Sequence, residues 1–141
     1  MVDLLCDRGR TDSALALEEL WNGLARKRRF TLLCAYGLDL FEHASQVGAL
    51  PDVYRLHSHV LPAPDPARLA RAVDQALEDV LGPADAGKVY VFIGEQAREG
   101  RVPTAQLALL WVSANLPALA ERILASARRQ YVEGPLASAA S

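Results

Sequence analysis

Two uninterrupted apolar runs constrain the fold of this chain more than any other feature of its sequence. The first is Phe30–Tyr36 and the second is Val89–Ile93, at the centre of the predicted strand Lys88–Gly94, and each has about the length of one buried β-strand. An apolar run without polar alternation is typical of a strand that is covered on both faces. The two runs therefore predict an α/β fold in which a small sheet is covered by helices.

Most of the remaining chain has helical periodicity. The predicted helices lie at residues 12–28, 38–47, 52–59, 66–81 and 103–131, and Pro117 either kinks the last of these or lies in the first turn of a separate helix. The fourth has the clearest start, because Asp65 can cap it and Pro66 suits the first helical position. Two strands are few for a self-sufficient sheet. Either weaker strands have been missed, or a second chain completes the sheet edge, and the latter predicts a homo-oligomer.

A proline-rich stretch divides the chain. Three prolines lie within residues 62–66, where they cannot continue a helix or a central strand. We therefore expect a first segment at residues 1–64 and a second α/β segment at residues 65–133, packed together as one compact unit. Residues 134–141 are rich in alanine and serine and predict a disordered tail.

Composition excludes several classes of protein. The 141 residues include 15 basic and 17 acidic side chains, which argues against a nucleic-acid-binding surface spread over the molecule. The sequence contains no window of about 18 uninterrupted apolar residues, so it does not predict a membrane-spanning helix. The two cysteines, Cys6 and Cys34, do not make a disulfide framework, and they are typical of a reducing cytoplasm.

The histidines are the most specific chemical feature. His57 and His59 are two positions apart, so they would share one face of a strand but diverge on a helix. With Cys34 they could bind one metal ion, as in a metal-dependent enzyme. The favoured interpretation is that both histidines are hydrogen-bonding residues that fix a loop.

Signatures of other chemistry are weak or missing. The chain has neither a G-x-x-x-x-G-K-[ST] phosphate loop nor a G-x-G-x-x-G turn. Cys34 sits in an apolar run, where burial raises the pKa of a thiol and makes it inert. Adjacent acids on a helix are usually solvated. This interpretation covers Glu18 with Glu19, and Glu78 with Asp79.

Aromatic residues concentrate in the first half of the chain, at Trp21, Phe30, Tyr36, Phe41 and Tyr54. Small-molecule sites are usually apolar with a few polar groups. The aromatic residues therefore predict either such a pocket, with Cys34, His57 and His59 as its polar groups, or an ordinary core.

Four sequence strings carry a resemblance to a known family. They are LEELWNGLAR at residues 17–26, FTLLCAY at 30–36, LF at 40–41 and HSHVLP at 57–62. In this order and spacing they resemble the C-terminal part of the MEDS family, the methanogen/methylotroph sensory domain. The resemblance covers about residues 1–64. The N-terminal half of the family has no counterpart here, Gly37 stands where the family commonly has proline, and residues 65–141 match nothing in it.

The resemblance implies a fold similar to RecA/KaiC-type α/β domains and a role in sensing small hydrocarbon-like compounds. Family members usually lie beside histidine kinase or DNA-binding modules. Carried over position by position, the resemblance implies a ligand-binding site at Cys34, Tyr36, His57 and His59.

Three hypotheses follow for the function. The first is a non-enzymatic sensory or regulatory module, cytoplasmic and homo-oligomeric, that binds a small apolar ligand and signals to a kinase or a transcription regulator. It requires no catalytic residue, metal or cofactor. The second is an interaction module derived from a truncated sensory domain, which uses a sheet edge and the helix face of Leu107, Leu110 and Trp111. The third is a metal-dependent enzyme that uses His57, His59 and Cys34.

Overall fold

Helices and loops make up the whole part of the chain that the structure, a computed structural model, describes, namely residues 11–134. The helices are α1 Thr11–Ala25, α2 His43–Val47, α3 Ala49–Leu56, α4 Pro66–Leu81, α5 Pro83–Glu99, α6 Thr104–Asn115 and α7 Pro117–Glu133. Between residues 11 and 134 there is no β-strand. The predicted α/β fold with a helix-covered sheet is therefore wrong for this region, and no sheet edge remains there for a second chain to complete.

The last four helices form a bundle. Helix α4 packs along α7 and also against α5 and α6, and α6 packs against both α5 and α7. The connections between these helices are only one to four residues long, which favours packing between consecutive helices. Fully buried aliphatic side chains fill the centre, among them Val73, Leu77, Ile93, Leu109, Val112 and Ile123.

Helix α4 confirms the prediction made for its start. The Asp65 side chain accepts a hydrogen bond from the Arg68 backbone N–H at 2.9 Å, and Pro66 occupies the first turn. The cap satisfies one of the backbone donors that every helix start leaves unpaired. The periodicity predicts an apolar stripe of Leu69, Val73, Leu77 and Val80, of which the first three are buried and Val80 is partly buried.

The second apolar run, at the centre of residues 88–94, lies inside helix α5 and is not a strand. Its buried residues are Val89 and Ile93, four positions apart, together with Ala86 one turn earlier. Val91 and Phe92 are exposed on the other side of the helix. The run therefore follows helical spacing, and burial against α4 and α6 overrides the β-propensity of its branched and aromatic side chains.

The first apolar run, residues 30–36, is a loop, so the prediction of an inner sheet strand is wrong here as well. One strand-like property remains. Cys34 and Tyr36 are partly buried, whereas Leu33 and Ala35 are exposed, so alternate side chains face the protein interior. Within residues 11–134 there is no second strand that could supply the hydrogen bonds of a sheet.

The first segment shares the core of the bundle. Leu50, Val53 and Tyr54 of α3 belong to the same buried cluster as the bundle residues. Helix α2 packs on α6 and α7, and α1 packs on α3. The proline-rich stretch forms the connection between α3 and α4, as predicted. The predicted tail beyond Gly134 and the first ten residues, with Cys6, lie outside the described residues.

The helix face proposed for partner binding is largely occupied within the chain. Leu107 is buried, and Leu110 and Trp111 are only partly exposed. The Trp111 ring stacks on Phe92, with 5.1 Å between the ring centroids and 7° between the planes. Leu107 is therefore buried within the chain, while Leu110 and Trp111 keep part of their surface exposed.

Glycine positions provide a test of helix α5. We expect Gly87→Ala to stabilise the protein by about 0.5–1 kcal/mol, because alanine is the better helix former and the site has room for a methyl group. Gly100→Ala should instead destabilise it by about 1–2 kcal/mol, because Gly100 ends the helix at a φ of 67°. Chemical denaturation of both variants measures the contrast, and equal effects would contradict the helix assignment.

Candidate functional site

Two parts of the first segment bring the predicted site residues together. Cys34 and Tyr36 lie on the loop before α2, while His57 and His59 follow directly after α3. All four side chains line one cavity. The prediction of a common pocket for these positions therefore agrees with their placement.

A buried carboxylate lies at the centre of this region. Glu18 of α1 is only 3% exposed. The Tyr36 hydroxyl donates a hydrogen bond to Glu18 Oε1 at 2.7 Å. Cys34 Sγ lies 3.5 Å from Glu18 Oε2, and His57 Nε2 lies 3.6 Å from the same oxygen. We call these four residues the Glu18 cluster.

The His57 ring is held in a defined orientation. Its Nδ1 lies 2.7 Å from the Val53 carbonyl oxygen, one helical turn earlier. Because a carbonyl oxygen only accepts, Nδ1 carries a proton and donates it. The Tyr36 ring meets the imidazole edge to face, with the centroids 5.6 Å apart. These two contacts direct Nε2 towards Glu18.

Arg101 fixes the segment that carries His57 to the bundle. Its guanidinium donates to the His57 carbonyl oxygen at 2.9 Å and to the Tyr54 and Arg55 carbonyl oxygens at 3.4 Å. The Val60 N–H donates back to the Arg101 carbonyl oxygen. A cation suits the unpaired carbonyl groups at the end of α3. Nothing in the sequence around Arg101 indicates this role, because the carbonyl groups it contacts lie more than 40 residues away in the chain.

Glu18 is a site residue that the sequence does not single out, since two adjacent acids on a helix predict a solvated pair. That interpretation is correct for Glu19, which is exposed, and wrong for Glu18. A signal was present in the helix pattern. Trp21 and Asn22 follow Glu18 by three and four residues, so they share its face, and both are partly buried. Asn22 also donates to the Leu56 carbonyl oxygen at 3.0 Å, which ties α1 to α3.

His59 differs from the other three predicted residues. It lines the cavity, but it is exposed and does not belong to the Glu18 cluster. Within the described residues, the group whose ligand atoms lie within 4.8 Å of one another is Glu18, Cys34 and His57. The predicted metal ligands Cys34 and His57 therefore lie close together, and the third residue beside them is Glu18 instead of His59.

The Cys34 thiol is kept protonated. Burial, with the Glu18 carboxylate as a second cause, raises the pKa of Cys34 to about 11. The thiolate is the nucleophilic form of cysteine. At neutral pH the metal-free site thus holds a neutral thiol that donates towards Glu18, in agreement with the inert cysteine predicted from the sequence.

This raised pKa predicts slow alkylation of Cys34. In a Cys6→Ser background with a chelator present, the iodoacetamide rate should still rise about tenfold per pH unit between about pH 8 and pH 10, because only the thiolate reacts. Glu18→Gln in the same background should speed the reaction at pH 8 by removing the negative charge. A rate that levels off near pH 8.5, the pKa of an ordinary thiol, would show that Cys34 is not held beside the carboxylate.

The cavity has a volume of about 220 Å³. Eight aliphatic and two tyrosine side chains make up most of its wall. The full lining is Leu32, Leu33, Cys34, Tyr36, Leu38, Leu40, Leu50, Val53, Tyr54, His57, His59, Val60, Leu61 and Gln106. Leu33 and Leu61 are also exposed to solvent, so the cavity opens to the surface between apolar side chains.

Three buried polar atoms of cavity-lining residues have no hydrogen-bond partner among residues 11–134. They are His57 Nε2, which faces Glu18, together with Tyr54 Oη and Gln106 Oε1. Burial raises the pKa of Tyr54, so its hydroxyl keeps its proton and can donate. Gln106 Oε1 can only accept. A buried polar atom without a partner is costly, so a bound molecule that formed a hydrogen bond with either side chain would be stabilised.

The fold and site define a helical protein with a small apolar cavity and a buried glutamate, cysteine, tyrosine and histidine at its edge. No protein-family model matches the chain, and neither a curated protein nor a solved structure matches it either. None of the helices between residues 11 and 134 is long and apolar enough to cross a membrane.

Proposed function

We propose that this protein is a non-enzymatic sensory or regulatory module that binds a small apolar molecule in the cavity of Cys34, Tyr36, His57 and His59. The observation that carries the proposal is the cavity itself, which has an aliphatic wall and the buried, unpaired polar atoms of Tyr54 and Gln106. An apolar cavity of about 150 Å³ is large enough for benzene, so a cavity of about 220 Å³ suits a ligand of similar or slightly larger size.

The polar atoms narrow the chemistry of the ligand. Tyr54 offers a donor and Gln106 an acceptor, and a hydroxyl group both accepts and donates. A small apolar molecule with one hydroxyl group therefore fits this wall better than a hydrocarbon or a charged compound. Phenol and toluene form a matched pair of probes, because they have similar volume and differ in the hydroxyl.

The neutral Cys34 thiol supports binding over nucleophilic catalysis. Its free state suits a reducing cytoplasm, which is the location we propose. The resemblance of residues 1–64 to the MEDS family supports a signalling role. Under this proposal the module passes its signal to a kinase or a transcription regulator.

Thermal denaturation of the full chain in the presence of a chelator tests the proposal. A ligand that binds only the native state must raise the melting temperature, and phenol should raise it more than toluene. Tyr54→Phe should reduce the preference for phenol. Leu38→Trp, which fills the cavity, should weaken phenol binding by at least about tenfold, a loss equivalent to about 1.4 kcal/mol.

The control for the filled cavity is Leu20→Trp, which places the same indole on the exposed face of α1. It should leave the response to phenol unchanged. The proposal fails if neither probe shifts the melting temperature of the wild-type protein, or if Leu38→Trp and Leu20→Trp respond to phenol alike.

A further inference from the structure

The ligand atoms of Glu18, Cys34 and His57 have the spacing of a metal coordination sphere. Glu18 Oε2 lies 3.5 Å from Cys34 Sγ and 3.6 Å from His57 Nε2. Zn²⁺ bonds of about 2.0–2.3 Å at tetrahedral angles give edges of about 3.3–3.6 Å between ligand atoms. Two edges of the triangle therefore already have the required length, and the third lies within 4.8 Å.

The tautomer of His57 leaves its Nε2 atom able to bind a metal. Because Nδ1 donates to the Val53 carbonyl oxygen, the neutral imidazole presents the lone pair of Nε2. This atom is buried and has no hydrogen-bond partner, and it faces a carboxylate oxygen that is also an acceptor. Two acceptors directed at one another require a proton or another cation between them. Histidine metal ligands are commonly fixed in this way, through a hydrogen bond from the other ring nitrogen.

The surroundings of the Glu18 carboxylate also favour a bound cation. No lysine or arginine among residues 11–134 lies within ion-pair distance of this buried carboxylate, and its basic neighbour is His57. A buried charge is costly unless it is paired or coordinates a metal. Tyr36 donates to Oε1, and the Cys34 thiol that faces Oε2 gives up its proton when it binds a metal, so Oε2 can then bind the cation.

We propose that Glu18, Cys34 and His57 bind one Zn²⁺ ion, with a fourth coordination position open to solvent or to a ligand. The donor set favours a transition metal of the Zn²⁺ type over the alkaline-earth ions. One thiolate, one imidazole and one carboxylate suit Zn²⁺, whereas Mg²⁺ and Ca²⁺ prefer sites made of oxygen atoms. Binding transfers the Cys34 proton to solvent, and the thiolate, imidazole and carboxylate then form the three protein–metal bonds. Tyr36 is a positioning residue that holds the Glu18 carboxylate.

The test measures zinc bound by the purified full chain in a Cys6→Ser background, where Cys34 is the remaining thiol. After equilibration with Zn²⁺ and dialysis, we expect one zinc per chain by elemental analysis. Competition with a chromogenic chelator then gives the affinity. Glu18→Gln, Cys34→Ser and His57→Gln should each weaken binding by at least about 100-fold, since outer-shell partners alone are worth about 10–100-fold.

Neighbouring residues supply matched controls. Glu19→Gln and His59→Gln change the same residue types one and two positions away, outside the ligand group, and should leave zinc affinity unchanged. Tyr36→Phe should weaken binding by about tenfold through the loss of the hydrogen bond to Glu18. Less than one zinc per chain after dialysis, or an affinity that Cys34→Ser leaves unchanged, would overturn the proposal.

Cobalt gives a readout that does not depend on the ligand variants folding. Co²⁺ added to the Cys6→Ser protein should produce the thiolate-to-cobalt charge-transfer absorption and the intense visible bands of a tetrahedral site. Their absence from a folded, cobalt-loaded protein would exclude coordination by Cys34. Zinc binding and ligand binding in the cavity are tested independently, because the phenol experiment contains a chelator and the zinc experiment contains no phenol.

Discussion

Replacing Ile93 with alanine is expected to destabilise the protein by about 2–5 kcal/mol. Ile93 is 0% exposed and packs in the centre of the helical bundle. Truncation removes three buried carbons and leaves a cavity, and both effects lower the free energy of unfolding. Denaturation by urea or guanidinium, fitted as a two-state transition, measures the loss.

The matched control is Val91→Ala, two residues earlier in α5. Val91 is 79% exposed, so the substitution should change stability by no more than about 0.5 kcal/mol. The pair discriminates between helix and strand. In a strand, residues 91 and 93 would face the same side and both truncations would be costly, whereas in α5 they point in different directions. Similar losses for the two variants would therefore contradict the helical fold.

The second large effect concerns Glu18. We expect Glu18→Ala to destabilise the metal-free protein by about 2–4 kcal/mol, because the Tyr36 hydroxyl, the Cys34 thiol and the His57 imidazole all lose the group they face. Breaking a buried interaction from one side leaves the other partners desolvated and unsatisfied. Equilibrium denaturation in the presence of a chelator measures the loss.

Glu19→Ala is the control for this variant. It makes the same chemical change on the same helix, so the gain in helix propensity is the same, but Glu19 is exposed. Its effect should be no more than about 0.5 kcal/mol. If both variants lose little stability, Glu18 is not buried against the loop residues. That result would contradict both the site as described and the zinc proposal.

Local signals in the second segment correctly predicted helix α4 and the helical character of α6 and α7, but not helix α5. Asp65 and Pro66 mark the start of α4, and its apolar stripe has an unambiguous helical spacing. These features act within one or two turns of chain, so they can be read without knowledge of the tertiary fold. Helix α7, which begins at Pro117, is another element that such local chemistry indicates.

The strand predictions failed because a short continuous apolar run does not specify one secondary structure. Residues 88–94 form a helix when α4 and α6 cover the face of Val89 and Ile93. That face becomes visible in the sequence only when Ala86, which precedes the run, is included in the helical pattern. Packing against the neighbouring helices determines that residues 88–94 are helical, and the sequence of the run alone does not reveal where those helices lie.

The site was predicted in part. Cys34, Tyr36 and His57 were expected in one pocket, and the fold brings them together from two parts of the chain. Glu18 was not expected, because an acidic residue in a helix is normally exposed and its burial depends on the loop that packs over α1. The role of Arg101 depends in the same way on the end of α3, which is far from it in sequence.

The most direct test of the account is a double-mutant cycle between Glu18→Ala and Tyr36→Phe, measured by the free energy of unfolding with a chelator present. The hydroxyl of Tyr36 lies 2.7 Å from the buried carboxylate, and hydrogen bonds to charged groups are worth about 1.5–3 kcal/mol. We predict a coupling energy of at least about 1 kcal/mol. Additivity of the two substitutions within about 0.3 kcal/mol would show that the residues do not meet, and would contradict the site as described.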